Sequence, residues 1–434
     1  MHQFSVCACA GLNGEVTIPG DKSISHRAVM LASIADGTTE ITGFLFGADN
    51  IATLEAMQHL GVAVTMDKTK GQVTIRGKGR LGLTDAKRPL EMGNSGTAMR
   101  LLTGLLAGQA FKSTLIGDAS LSRRPMARVV DPLKKMGAKI KLTAQGTAPI
   151  EIDGGHTLKG IEYVLPMASA QVKSALLLAG IYAKGDTMLT EPSITRDHTE
   201  RMLRAFGYPV ESVGQCVRLT GGQSLRATSL QVPSDISSAA FFMVAASIVP
   251  GSHVILKNVG INPTRVGIIH LLRAMGGKLT LFNERTLGDE PVADIEIIST
   301  KLHGITIPED QVPLAIDEMP ILMIAAACAS GETRLSGAEE LRVKETDRIA
   351  AMARGLTTLG IHCQPTADGI IIQGGQLHGG NIQSDEDHRI AMAFAVAGCV
   401  AKETVTIQHC RNVQTSFPNF VELARSLGMN IHVT

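Results

Sequence analysis

Residues 56–65 read Ala-Met-Gln-His-Leu-Gly-Val-Ala-Val-Thr and join the end of an amphipathic helix to an alternating segment. The glycine suits the left-handed C-cap of a helix, and the alternation after it is typical of a half-buried strand. The same pattern occurs six times, with its glycines 68 to 84 residues apart: Gly61, Gly137, Gly207, Gly276, Gly360 and Gly428. The sequence therefore predicts six repeats of one helix-and-strand unit.

A second set of helices runs in step with the first. Its members, such as residues 174–180 and 390–398, are apolar nearly all round, which indicates burial. They are predicted to begin near Ser23, Gly96, Ser169, Ser237, Asp317 and Asp387. Six units of about 70 residues exceed one ordinary hydrophobic core, so we expect an α/β protein with two groups of three units.

The domain boundaries are predicted from two crossover segments. Residues 232–235 lie between the third and fourth units, and a strand at residues 16–19 precedes the first buried helix. We therefore expect one domain at residues 21–236, with repeats 1–3, and a discontinuous domain at residues 1–20 plus 237–434, with repeats 4–6.

The composition excludes several classes of protein. Lysine and arginine (41) nearly balance aspartate and glutamate (40), and only 3% of residues are aromatic, so we expect no nucleic-acid partner. The longest apolar runs stop short of the roughly 20 residues that span a bilayer, and the first residues do not resemble a signal peptide. We expect no membrane partner and a cytoplasmic location. The seven cysteines are scattered and form neither a disulfide framework nor a zinc motif.

Cations stand at the start of three predicted buried helices. Arg27, Arg100 and Lys173 each follow the opening serine or glycine by four residues. The free N–H groups and positive dipole end of a helix start can bind an anion. For any one segment, N-capping beside ordinary surface charge is the simpler interpretation. The three in register favour an anion site.

Mixed charge gathers in the C-terminal half. Lys344, Glu345 and Arg348 can share one turn, with a carboxylate near enough to a guanidinium for acid–base chemistry beside anion binding. Arg342 and Asp347 in the same segment are interpreted as part of a solvated face.

Single residues beside other helix starts add to this set. Asp317 and Glu318 open a very apolar helix, where the alternative is an ordinary helix-start acid. His388 has the alternative of a structural histidine. The amphipathic helices contribute Arg124, Arg196 and Arg265.

Six segments together resemble the enolpyruvyl transferases, and within them the branch that acts on shikimate 3-phosphate: residues 20–27, 93–100, 117–125, 167–173, 342–348 and 387–389. The resemblance extends over essentially the whole chain. It implies two inside-out α/β barrel-like domains, each of three repeated units with buried helices and short-stranded sheets. It also implies transfer of the enolpyruvyl group of phosphoenolpyruvate to the 5-hydroxyl of shikimate 3-phosphate, with release of phosphate, in chorismate and aromatic amino acid biosynthesis. No cofactor or metal is implied.

The resemblance assigns residues to both substrates, in one shared pocket. The shikimate 3-phosphate ligands are Lys22, Ser23, Arg27, Ser169, Gln171, Arg196, Asp317 and Lys344. The phosphoenolpyruvate ligands are Lys22, Gly96, Arg124, Gln171, Arg348 and Arg389. By the same resemblance, Asp317 accepts the proton of the attacking hydroxyl, while Lys22 and Glu345 handle protonation and deprotonation at the enolpyruvyl methyl carbon.

Two departures are similar to the second class of these enzymes. Residues 414–418 lack the lysine that the better-known class carries before its Phe-Pro, and Ala170 stands where that class has a second serine. The second class often tolerates glyphosate, and many members place alanine where Gly96 stands. Because Gly96 leaves more room, the class alone does not decide the glyphosate response.

Two other functions remain open from the sequence. A sister enzyme that transfers enolpyruvyl to a UDP-amino sugar needs a reactive cysteine in the second-repeat loop, and residues 117–124 contain none. A non-catalytic repeat scaffold explains the periodicity but not the charges at the helix starts. Small-molecule substrates and a monomer are expected, because closure around substrate needs free movement of the two halves.

Overall fold

The computed structural model describes residues 3–434. Within that range the α-helices are α1 (Lys22–Ile34), α2 (Ala48–His59), α3 (Gly96–Ala107), α4 (Ala127–Lys135), α5 (Ala170–Gly180), α6 (His198–Ala205), α7 (Ile236–Ile248), α8 (Gly267–Ala274), α9 (Val312–Ala315), α10 (Met319–Cys328), α11 (Arg348–Thr358), α12 (His388–Gly398) and α13 (Phe420–Ser426).

The strands are short and most have two to five residues. They are β1 (Phe4–Cys7), β2 (Asn13–Thr17), β3 (Ala35–Asp36), β4 (Thr38–Thr42), β5 (Ala63–Asp67), β6 (Gln72–Arg76), β7 (Leu90–Glu91), β8 (Ser113–Ile116), β9 (Lys139–Lys141), β10 (Ile150–Asp153), β11 (Glu162–Val164), β12 (Asp186–Thr190), β13 (Glu211–Val213), β14 (Cys216–Thr220), β15 (Leu225–Arg226), β16 (Ser229–Gln231), β17 (His253–Gly260), β18 (Lys278–Leu287), β19 (Glu290–Ile298), β20 (Glu332–Leu335), β21 (Cys363–Pro365), β22 (Ile370–Gln373), β23 (Gly380–Gln383), β24 (Val405–Gln408) and β25 (Asn430–Val433).

The chain forms two compact units. The central unit comprises Gly20–Val232 with Leu287–Asp289, and the terminal unit comprises the chain up to Pro19 with Pro233–Thr286 and Glu290–Thr434. Each unit has its own hydrophobic core. Each core is built around three helices that are buried almost throughout, α1, α3 and α5 in the central unit and α7, α10 and α12 in the terminal unit.

The three four-stranded sheets of the central unit share one topology. Their strand orders are β16-β4-β6-β5, β7-β8-β10-β9 and β11-β12-β14-β13. In each sheet the first strand is parallel to the second, and the other pairs are antiparallel. The repeated sequence pattern therefore corresponds to a repeated mixed sheet.

The sheets of the terminal unit recruit the N-terminal strands. Their orders are β18-β19-β17-β2, β20-β22-β21 and β23-β24-β1-β25. Strand β2 is the parallel edge beside β17, while β1 lies antiparallel between β24 and β25. In the three-stranded sheet, a parallel bridge between Thr306 and Arg334 stands where the other sheets have their parallel edge strand.

The six repeat glycines end their helices in the left-handed region. Their φ values range from +75° to +102°. A side chain is strained there, which explains why glycine marks every repeat. The observed elements confirm the predicted α/β fold class.

In the described range no single helix is long and apolar enough to cross a membrane. Residues 309–315 and 319–328 reach that length only as a pair, with a bend of 119° between them.

Candidate active site

Helix α1 opens with charged groups in its first turns. Asp21 caps it, with Ile24 N donating to Asp21 Oδ1 at 2.8 Å. Lys22 is the first residue of the helix, and its ammonium group forms an ion pair with Asp49. The Lys22 ammonium is thus placed at the positive end of a buried helix.

Arg27 is held by three helices. Arg27 is only 3% exposed. Nη1 donates to the carbonyl of Ser23 in α1 (3.0 Å), Nη2 to Ser174 Oγ in α5 (2.7 Å) and Nε to Thr199 Oγ1 in α6 (2.6 Å). These contacts fix the orientation of the guanidinium group.

The start of α3 brings together two guanidinium groups. Ser95 caps this helix, with Ala98 N donating to its hydroxyl at 3.1 Å. A Cβ atom on Gly96 would lie 2.8 Å from Arg100 Nη1 and 3.3 Å from Arg124 Nη1. Arg124 is buried and donates from Nη2 to Asn94 Oδ1 at 2.6 Å. The missing side chain of Gly96 therefore leaves room for both arginines.

The start of α5 is joined to α3 by a glutamine. Ser169 caps α5, with Val172 N donating to its hydroxyl at 3.4 Å. Gln171 Oε1 accepts from Arg100 Nη1 at 2.7 Å, and Gln171 Nε2 donates to Thr97 Oγ1 at 2.9 Å. Gln171 is thus oriented by the same arginine that borders Gly96.

Lys173 does not take the role that its spacing predicted. Its ammonium group is buried and lies 2.8 Å from both Glu191 Oε2 and Glu200 Oε1. Burial acts to lower the pKa of Lys173, but the two carboxylates outweigh it and the net pKa is raised. The charge of Lys173 is therefore offset by these carboxylates. Arg196, another predicted cation, lies in the loop directly before α6.

The predicted residues of the terminal unit lie near the starts of α10, α11 and α12. Asp317 Oδ1 lies 3.5 Å from Arg348 Nη1 and 4.0 Å from Lys344 Nζ. Glu340 Oε1 is 3.5 Å from the same ammonium group. Burial lowers the pKa of Lys344 below its usual value, although Asp317 and Glu340 act in the opposite direction.

Arg348 is the centre of this cluster and is only 1% exposed. Its Nη2 donates to Glu345 Oε2 at 2.6 Å, and its Nε donates to Asp387 Oδ2 at 2.8 Å. Burial opposes its charge, but Asp387 and Glu345 raise the pKa of Arg348 above that of an ordinary arginine. It stays a cation at all working pH values.

Arg389 links α12 to the segment that precedes α10. Its Nη1 donates to the carbonyl oxygen of Asp317 at 2.9 Å. Asp387 caps α12, with Arg389 N donating to Asp387 Oδ1 at 2.8 Å. The buried carboxylate of Asp387 thus orients the Arg348 guanidinium group and caps the helix that carries Arg389.

Arg342 and Asp347, which were expected on a solvated face, are half-buried and make structural contacts. Arg342 pairs with Asp347 at 2.6 Å, and Asp347 caps α11 by accepting from Ala350 N at 3.0 Å. Glu318, which was considered beside Asp317, is buried, accepts from the Ser237 hydroxyl and lies 3.5 Å from Arg265 Nη2.

The structure groups the predicted residues in two sets. In the central unit they lie at or just before the starts of α1, α3, α4, α5 and α6: Lys22, Ser23, Arg27, Gly96, Arg124, Ser169, Gln171 and Arg196. In the terminal unit they lie near the starts of α10, α11 and α12: Asp317, Lys344, Glu345, Arg348 and Arg389. Among residues 3–434, no three His, Cys, Asp or Glu side chains are placed to hold a metal ion.

Several residues of these sets were missing from the sequence-based assignment. Arg100 had the correct spacing from Gly96 but was not chosen as a ligand. Asp387 was recognisable as a helix cap but was not assigned to the site. Asp49, Asn94 and Thr97 carry no comparable sequence signal, because their roles depend on which side chain reaches them.

The two units of three repeats, with buried helices that open beside cations and carboxylates, have the fold of an enolpyruvyl transferase. The crystal structure of the enolpyruvyl transferase NikO from Streptomyces tendae has the same fold, with a TM-score of 0.80 at 18% identity over 100% of this chain and 99% of that one.

More similar proteins narrow the class. A family sequence profile described as EPSP synthase (3-phosphoshikimate 1-carboxyvinyltransferase) matches residues 7–423. The 3-phosphoshikimate 1-carboxyvinyltransferase of Methylococcus capsulatus is 58% identical over 100% of both chains. EPSP synthase from Acinetobacter baumannii is 56% identical, with a TM-score of 0.90 over 100% of both chains. The chain belongs to the EPSP synthase family.

Proposed function

We propose that this chain transfers the enolpyruvyl group of phosphoenolpyruvate to the 5-hydroxyl of shikimate 3-phosphate and releases phosphate. The observation that carries the proposal is the carboxylate of Asp317 beside Arg348 and Lys344, with Glu345 on the same arginine. Acids held against cations in this way can move protons while anionic substrates are bound. The family membership supports this reaction.

Binding is assigned to both sets of residues. For shikimate 3-phosphate these are Lys22, Ser23, Arg27, Ser169, Gln171, Arg196, Asp317 and Lys344, and for phosphoenolpyruvate Lys22, Gly96, Arg124, Gln171, Arg348 and Arg389. Both substrates are anions and repel each other. Arginines offset that repulsion and bind carboxylate and phosphate oxygens with two N–H groups at once.

The first half of the reaction forms a ketal. The 5-hydroxyl oxygen bonds to C2 of phosphoenolpyruvate, and Asp317 accepts the hydroxyl proton. The C2–C3 double bond supplies the electron pair that takes up a proton at C3, delivered by Lys22 or Glu345. The product of this half is a tetrahedral carbon that carries both the ether oxygen and the phosphate.

The second half expels the phosphate. The bond from C2 to the phosphate oxygen breaks, and the phosphate leaves with its electron pair. A proton returns from the C3 methyl group to Lys22 or Glu345, and the C2–C3 double bond forms again. The arginines stabilise the charge that develops on the leaving oxygen.

The organisation of the chain is proposed with the same function. We propose domains at residues 21–236 and at residues 1–20 plus 237–434, and the compact units end within four residues of these boundaries, at Pro19 and Val232. We also propose a monomer in the cytoplasm. Sedimentation equilibrium tests the monomer, which a dimer mass at micromolar concentration would contradict.

Phosphate release tests the function. Purified protein with phosphoenolpyruvate and shikimate 3-phosphate is expected to release phosphate in the presence of a metal chelator. Replacing shikimate 3-phosphate by UDP-N-acetylglucosamine is expected to abolish release. Release only with the UDP-sugar would favour the sister enzyme, and release with neither acceptor would favour a scaffold.

A further inference from the structure

A buried ion network lies inside the central unit beside the proposed shikimate 3-phosphate ligands. Lys173 of α5 contacts Glu191 and Glu200, each at 2.8 Å, and the three side chains are at most 5% exposed. Two carboxylates share one ammonium group, so the network carries a net negative charge within the protein.

The network fixes the residue that precedes Arg196. Lys173 Nζ donates to the carbonyl oxygen of Thr195 at 3.3 Å, and the Thr195 hydroxyl donates to Glu191 Oε1. The carbonyl oxygen and the hydroxyl group of Thr195 are therefore both held by the network. The backbone position from which the Arg196 side chain departs is set by Lys173 and Glu191.

The same network is adjacent to the groups that hold Arg27. Ser174 follows Lys173 in α5, and Thr199 precedes Glu200 in α6. Arg27 donates to both hydroxyl groups, and Thr199 Oγ1 donates to Ser174 Oγ at 2.7 Å. The ion pair between Lys173 and Glu200 thus links the two helices that orient Arg27.

Stability alone is a poor reason for this network. Buried ion pairs are often no more stabilising than apolar side chains of similar volume, because desolvation offsets the attraction. Most side chains buried in this unit are apolar, although Arg27, Arg100 and Arg124 are buried there as well. A charged network in such a core indicates that the orientation of the groups it holds matters, since charge-assisted hydrogen bonds fix geometry better than apolar contacts do.

We propose that Lys173, Glu191 and Glu200 are positioning residues for shikimate 3-phosphate. Glu191 and Lys173 hold the loop of Arg196, to which we assign the phosphate of that substrate, and Glu200 and Lys173 hold the hydroxyl groups that orient Arg27. The inference rests on the proposed function. On this proposal the buried network contributes to the preference for a phosphorylated acceptor, because it holds Arg196 in place.

Two isosteric variants test the proposal. Glu191→Gln and Glu200→Gln each remove one charge and keep the shape, whereas loss of Lys173 would leave two buried carboxylates without their cation and endanger folding. The matched control is Glu211→Gln, an exposed carboxylate in the same unit, 3.9 Å from Arg218. Titration calorimetry measures the affinity for shikimate 3-phosphate and for unphosphorylated shikimate, and thermal unfolding checks the fold.

The two variants have different expected signatures. Glu191→Gln is expected to weaken shikimate 3-phosphate roughly tenfold, the scale of one charge-assisted hydrogen bond, with shikimate changed less than about twofold. Glu200→Gln is expected to weaken both ligands, because Arg27 is not specific for the phosphate. In turnover assays the KM for shikimate 3-phosphate rises, while kcat at saturation stays within about threefold.

Other outcomes would overturn the inference. If Glu191→Gln keeps the wild-type ratio of the two affinities, the network does not position Arg196. If both variants lose both ligands equally and unfold at a lower temperature, the network only holds the fold. Absence of phosphate release by the wild-type protein is a separate result that refutes the proposed function itself.

Discussion

Replacing Gly96 by alanine is expected to damage the use of phosphoenolpyruvate without damaging the fold. The new Cβ atom would lie 2.8 Å from Arg100 Nη1 and 3.3 Å from Arg124 Nη1. The first distance is shorter than contacts between carbon and nitrogen in folded proteins, so the Arg100 guanidinium must withdraw by roughly 0.7 Å to reach an ordinary contact.

That withdrawal affects a neighbour. Arg100 Nη1 donates to Gln171 Oε1 at 2.7 Å, and Nη2 donates to the carbonyl of Pro125 at 3.3 Å. A shift of that size breaks or lengthens one of these bonds, and a hydrogen bond to a charged group contributes about 1.5 to 3 kcal/mol. With a factor of ten for each ~1.4 kcal/mol, the KM for phosphoenolpyruvate is expected to rise about 10- to 100-fold.

Steady-state kinetics with phosphate detection measures this effect. Alanine at the first turn of α3 favours the helix over glycine, so the unfolding temperature is expected to stay equal or rise. Gly96→Ser extends the series, because its larger side chain should raise the KM further. A KM for phosphoenolpyruvate within twofold of wild type in Gly96→Ala would refute the crowding argument. A raised KM accompanied by a lower unfolding temperature would also refute it, because the fold itself would then be damaged.

The other predictions concern acid–base groups. Asp317→Ala and Glu345→Ala are each expected to lower turnover by roughly 10²-fold with an unchanged circular dichroism spectrum; wild-type rates would refute their assignments. Burial lowers the pKa of Lys344, so its ammonium group loses its proton at a pH below the usual lysine pKa. The KM for shikimate 3-phosphate should therefore rise on the alkaline side. Lys344→Arg should abolish that rise. Burial, then Lys22 and Arg27, hold the pKa of His26 well below 6.5, so only the unfolded state gains this proton just below that pH. Stability present above pH 6.5 is then lost by up to about 1.4 kcal/mol per pH unit as pH falls toward the folded pKa, and urea titration of His26→Gln should show a flatter slope.

The repeated architecture could be predicted because each unit leaves local marks. A glycine that ends a helix with positive φ and an apolar run that forms a buried helix both depend on neighbouring residues. Six such units exceed one ordinary hydrophobic core, which indicated two groups of three. Strand partners were beyond local patterns: β1 lies between β24 and β25, and nothing in residues 4–7 specifies strands more than 390 residues away.

The candidate residues could be predicted by type and position but not by contact. The spacing around Lys344, Glu345 and Arg348 indicated a shared turn, and Arg348 does contact Glu345 at 2.6 Å. The partner that most constrains Arg348 is Asp387, 39 residues later, and it was missed as a member of the site. A helix cap looks the same in sequence whether or not its second oxygen binds an arginine.

The three cations that follow a helix start by four residues show where local reasoning fails. Arg27 is fixed by hydroxyl groups of α5 and α6, Arg100 by the amide of Gln171, and Lys173 by two carboxylates. Their sequence positions are equivalent, but the groups that meet them come from other repeats and differ in charge. A buried ammonium group that meets two carboxylates has its charge offset before an anionic substrate arrives. Equal spacing therefore predicts where a charge stands, and the long-range partner decides whether it binds substrate or orients the residues that do.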